Sequence, residues 1–66
     1  MKLEDMATAL TTGPTYLSEV YNDRKKPGVG LSRKLGALTG HPWQEFLVMP
    51  GKEIKARVIK ALEQTN

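Results

Sequence analysis

The chain has 66 residues, with ten Lys and Arg against seven Asp and Glu, and no cysteine. That length holds one domain with a core worth only a few kcal/mol, and the missing cysteine excludes disulfides, thiolate zinc sites and thiol nucleophiles. One histidine leaves no metal-ligand set, and the longest apolar run, residues 46–49, falls far short of the ~20 residues of a membrane span.

Residues 1–20 also lack the basic-then-apolar order of a signal peptide, so a single cytoplasmic domain over residues 1–66, without cofactor or metal, is the expectation. Gly13-Pro14, Pro27-Gly28, Gly40 with Pro42, and Pro50-Gly51 divide it into short pieces, each with helical rather than alternating spacing. The first, about 3–10, puts Leu3, Met6, Ala7 and Leu10 on one face. The second, about 14–22, aligns Tyr16, Leu17 and Val20, and Pro14 suits a first helical turn, where its missing N–H costs nothing. A third, about 30–38, aligns Leu31, Leu35 and Leu38 and closes on Gly40 as a C-cap. A short fourth starts at Pro42 and offers Trp43, Phe46 and Leu47.

The last helix, about 52–64, turns Ile54, Val58, Ile59 and Leu62 inward and Lys52, Lys55, Lys60 and Glu63 outward. Glu53 and Arg57 stand four apart in the favourable order, worth ~0.3 kcal/mol. No stretch reads as a strand. The expected fold is an all-α bundle of about five short helices, each burying its stripe against the others because none is stable alone.

Charge is unevenly spread. Lys2 is outweighed by Glu4, Asp5, Glu19 and Asp23, whereas Arg24, Lys25, Lys26, Arg33 and Lys34 occupy residues 24–34 with no acid among them. Such a segment is either a solvated surface or an electrostatic footprint for phosphate. Its position decides the reading. Ala7 and Leu10 are followed by the tight Thr11-Thr12-Gly13 connection, then by Leu17 and Val20. Two closely crossing helices need a small residue at the contact, large aliphatics to seal the angle and a short turn that holds the second helix proud of the body. The second helix would then show Thr15, Ser18, Glu19 and Asn22 outward, short polar groups suited to base edges, with the basic run directly after it beside a phosphate backbone.

Ala7-x-x-Leu10, Tyr16-Leu17-Ser18-x-Val20, Arg24-Lys25-Lys26-Pro27 and Leu31-x-x-x-Leu35-x-x-Leu38-Thr39-Gly40 together resemble the Cro/repressor (XRE-type) helix-turn-helix family, over residues 3 to about 47. The resemblance implies a helix-turn-helix over about 3–22, with residues 14–22 as the recognition helix in the major groove of double-stranded DNA. It implies base contacts at Pro14, Thr15, Ser18 and Glu19, and backbone contacts at Asn22, Arg24, Lys25 and Lys26. Three departures stand out. Thr11 occupies a turn position where the family usually has glycine, so the turn bends differently or Thr11 is strained. Gly13 and Pro14 replace the usual polar pair at the start of the recognition helix. The helix that the family places before the motif has no counterpart, so the C-terminal helix either folds back over the exposed apolar face or pairs with a second chain. The second option makes residues 43–64 a homodimer interface.

Other residues have plainer readings. Tyr16 lies against the core or points its hydroxyl at a phosphate. Glu19 repels phosphate unless it accepts from a cytosine amine. Arg33 and Lys34 read as surface charges, His41 as a loop residue, and Trp43 and Phe46 as core or interface. No paired carboxylates, Ser-His-Asp spacing or phosphate loop point to an enzyme, and so small a core leaves no room for a substrate pocket of ~300 Å³. The expected role is a transcriptional regulator of the Cro or repressor kind. Its competitors are an antitoxin-like protein-interaction adaptor that keeps the fold without DNA, and an excisionase-type architectural DNA binder.

Overall fold

The computed structural model describes residues 2–64; the ends of the expected domain, residues 1, 65 and 66, lie outside them. Four α-helices and one 3₁₀ helix follow in order: α1 (Leu3–Ala9), α2 (Pro14–Tyr21), α3 (Val29–Thr39), the 3₁₀ helix Trp43–Leu47, and α4 (Gly51–Glu63). The fold is a small all-α bundle, with no strand among the described residues. Every element stands close to its expected bounds, but the fourth differs in kind. Glu45 N–H reaches the Pro42 carbonyl and Val48 N–H the Glu45 carbonyl, the i to i+3 spacing of a 3₁₀ turn. Five residues bracketed by Pro42 and Pro50 are too few to sustain an α-helical ladder.

The helix ends explain how the short pieces stop. Gly40 takes the left-handed conformation at φ 77° and closes α3 on the Gly36 carbonyl, as its type allows. Two residues without glycine's freedom do the same. Thr11, at φ 52°, lets Thr12 N–H reach the Ala7 carbonyl at 2.9 Å, and Asp23, at φ 60°, lets Arg24 N–H reach the Glu19 carbonyl at 2.8 Å. Both are Schellman closures. Of the two outcomes open for the first turn, strain at Thr11 is the one realised, because a left-handed β-branched residue crowds its own carbonyl. Lys34 Nζ donates to the Thr11 carbonyl at 2.9 Å and holds the turn. Thr11→Gly is expected to raise stability by about 0.5–1 kcal/mol net of glycine's larger unfolded-state entropy. A thermal melt several degrees higher supports this; an equal or lower Tm refutes the strain.

The core joins Met6 and Ala7 of α1 with its C-cap Leu10, Leu17, Val20 and Tyr21 of α2, Leu31 and Leu35 of α3, Phe46, and Ile54 and Val58 of α4. Tyr21 was not among the expected inward residues. It is buried, its hydroxyl donates to Met6 Sδ at 3.6 Å, and burial pushes its pKa up to about 12, so the group remains a neutral donor.

Within the chain, α4 folds back. Ile54 and Val58 are fully buried, and Ile59 and Leu62 pack against the core from its edge. Its first residue abuts the end of α2: Gly51 N–H donates to Asp23 Oδ1 at 2.8 Å. A carboxylate there satisfies a free N–H of the first turn and complements the helix dipole. A Cβ on Gly51 would collide with the Val20 and Tyr21 carbonyls, so the two backbones meet with only hydrogen between them.

Candidate nucleic-acid interface

With Leu17, Val20 and Tyr21 turned into the core, α2 shows its other side to solvent: Pro14, Thr15 and Asn22 are exposed, Ser18 and Glu19 half-buried. Pro14, Thr15, Ser18 and Glu19, the four residues assigned to bases, line one shallow depression together with Arg24 and Leu3. Four side chains spaced at 14, 15, 18 and 19 share a face because the helix repeats every 3.6 residues. The Schellman turn at Asp23 brings Arg24 back to the same face.

The expected phosphate group separates into parts. Lys25 Nζ lies 3.7 Å from Glu19 Oε2, so one base of the run offsets the acid on the outer face of α2. Both side chains keep partial exposure, and a pair like this contributes little to stability. Lys25 and Lys26 line a different hollow from Arg24, with Val20, Asp23, Pro27 and residues 48–50. Among the described residues Arg24 and Lys26 form no ion pair with an acid.

Asn22 turns back on its own helix, donating from Nδ2 to the Ser18 carbonyl at 2.9 Å. Tyr16 combines its two readings: the half-buried ring packs against the core, while the hydroxyl accepts from Gly28 N–H at 3.1 Å. That bond ties the start of α3 to α2 and leaves the hydroxyl its own proton to donate.

Two basic residues of α3 are engaged inside the chain. Lys34 serves the Thr11 carbonyl, and the Arg33 guanidinium stands over the Trp43 ring at 5.4 Å, a cation–π contact. His41 is an exposed loop residue whose backbone N–H donates to Thr39 Oγ1 and whose ring meets Arg57. Arg57 Nη1 donates to its Nε2 at 2.9 Å while Nη2 donates to Glu53 Oε1 at 3.1 Å. A guanidinium can only donate, so Nε2 accepts. Among the described residues no group of three acidic or histidine side chains gathers to hold a metal ion, and no helix is long and apolar enough to cross a membrane.

Sequence reasoning passed over Leu3, Lys52 and Lys55. A second depression, meeting the first at Ser18 and Leu3, is lined by Tyr21, Asn22, Lys52 and Lys55 as well. The i, i+3 spacing of the two lysines, opposite the apolar stripe of α4, marked them as outward. Which surface they face depends on how α4 docks, and that is not a local property. Comparison with protein-family models, with curated proteins and with solved structures gives no match to this chain.

Proposed function

We propose that the protein is a sequence-specific double-stranded DNA-binding regulator of the phage Cro/repressor type, working in the cytoplasm and without catalysis. The observation that carries this reading is the single surface formed by Pro14, Thr15, Ser18, Glu19 and Arg24 on a helix that projects its polar side. A major groove about 12 Å wide admits an α-helix whose outward residues are short. Thr15 and Ser18 bring hydroxyls that donate or accept, and Glu19 accepts from a cytosine amine. Its charge is already partly met by Lys25, which lowers the repulsion from nearby phosphates. Arg24 and Lys26 bind phosphate at the exit from the groove, joined by the Tyr16 hydroxyl through its free proton and by Asn22 once its amide swings outward.

One such module buries only ~600–1,000 Å² against DNA, so two copies on half-sites about one helical turn apart supply useful affinity. Of the segment 43–64, Ile54 and Val58 already serve the chain's own core, which moves the dimer surface toward Val48, 79% exposed, and its neighbours.

The test is a titration of mixed-sequence duplex at several salt concentrations with the wild type and the double variant Lys25→Glu/Lys26→Glu. Wild-type binding that weakens steeply with salt, and affinity lower by roughly 100-fold or more in the variant, is the expected result. Salt-independent binding, or none, sinks the reading. In that case the adaptor reading takes its place, favoured by the acidic residues of α1 and by Glu19.

A further inference from the structure

We propose that Lys52 and Lys55 of α4 form a second phosphate-binding wall beside α2, so that the C-terminal helix is part of the DNA interface. This rests on the DNA-binding reading above and extends it to an element otherwise assigned only to the core and to a partner chain.

Three observations carry it. First, Lys52 and Lys55 line the same surface as Ser18 and Asn22, which belong to the outward side of α2. The surface with Arg24 borders the first half of α2 and the surface with the two lysines borders its second half, and they meet at Ser18. A helix lying in a groove passes phosphates along both of its flanks, and basic side chains are wanted at each. Secondly, no carboxylate lines the lysine surface. Of the acids next in sequence to the lining residues, Glu53 binds Arg57, Asp23 accepts from Gly51 N–H and Glu19 pairs with Lys25, while Glu4, beside Leu3, is exposed to solvent and is not part of the lining. Neither lysine forms an ion pair among the described residues.

Thirdly, the distance from these lysines to α2 is fixed by backbone. The first turn of α4 is bound to Asp23 and seated against the Val20 and Tyr21 carbonyls, where no side chain fits. The lysine stems therefore start from a rigid base, and only the flexible four-carbon arm has to adapt, as a point-charge interaction with phosphate permits.

The experiment compares the salt dependence of duplex binding for the wild type, Lys52→Gln/Lys55→Gln and Lys60→Gln. Lys60 sits on the same helix but lines another hollow, with His41 and Arg57, so its variant shows the effect of one lost α4 charge, half that of the double variant, away from the proposed wall. All three lysines are exposed, and a circular-dichroism melt of each variant checks that it folds. The slope of log K against log salt is expected to flatten by ~0.9 for each phosphate that is no longer neutralised, hence by about 1–2 in the double variant, and to stay near the wild-type value in Lys60→Gln. A wild type that binds steeply while the double variant matches it, or while Lys60→Gln flattens the slope by half as much or more, overturns the second wall and leaves the α2 reading standing. A wild type that binds no duplex overturns both.

Discussion

Gly51→Ala is expected to detach α4 from α2 and to leave the protein largely unfolded at room temperature. The added methyl group has nowhere to go. It would sit within the Val20 and Tyr21 carbonyl oxygens, and those atoms belong to helix backbone, which cannot turn aside as a flexible side chain can. Relief requires the whole first turn of α4 to shift, which breaks the bond to Asp23 and withdraws Ile54 from its buried site. Overpacking of this kind typically costs about 1–3 kcal/mol, and losing buried Ile54 and Val58 adds more. A domain of this length has only a few kcal/mol in hand.

Two other helical glycines calibrate the effect. A Cβ at Gly30 meets nothing within 4 Å, so Gly30→Ala is expected to be neutral or stabilising by up to ~0.5 kcal/mol. At Gly36 a Cβ would lie 3.0 Å from the His41 carbonyl oxygen and from Trp43 Cβ, and Gly36→Ala is expected to cost about 1–2 kcal/mol. Thermal melts should therefore rank Gly30→Ala at or above the wild type, then Gly36→Ala, then Gly51→Ala. A Gly51→Ala protein that melts within a few degrees of wild type would refute the close approach of the two backbones.

Phe46→Ala is expected to abolish the fold outright. Phe46 is the largest of the fully buried side chains, and it sits on a 3₁₀ helix of five residues that has little hydrogen bonding of its own to keep it in place. That short helix packs mainly on α3, and Phe46 anchors it there. Truncating a buried Phe to Ala removes about 3–5 kcal/mol, comparable with the total stability of so small a domain. Phe46→Leu keeps most of the volume and should cost less than about 2 kcal/mol. Amide spectra report the difference: collapsed dispersion for Phe46→Ala and a native pattern for Phe46→Leu. A well-dispersed spectrum of Phe46→Ala at 25 °C would show that the core does not depend on this anchor.

The local grammar of the chain was legible. Pro14 opens α2, Gly40 closes α3 in the left-handed conformation, and the stripes Met6-Ala7-Leu10, Leu17-Val20 and Leu31-Leu35 all point inward. These features depend on neighbours three or four residues away, and backbone sterics and helical periodicity act over that range. The outward set Thr15, Ser18, Glu19 and Asn22 was legible for the same reason, since an inward stripe defines its own opposite face.

What the tertiary structure alone decided lies where a residue has several possible partners at long range. An amphipathic helix must cover its stripe, but its pattern does not name the cover; docking directs Ile54 and Val58 into the chain's own core rather than toward a second copy. Tyr21 enters the core because α1 and α4 close over the end of α2, and Tyr16 reaches Gly28 because α3 starts beside it. Polar tips behave the same way. Lys25 meets Glu19, Lys34 meets Thr11, and Lys52 and Lys55 come to flank Ser18 and Asn22. Composition and period thus determined the elements and the face of each. The partners of each face were set by the few backbone approaches that packing permits, above all Gly51 against α2, because burial is non-directional and only shape selects among equally apolar neighbours.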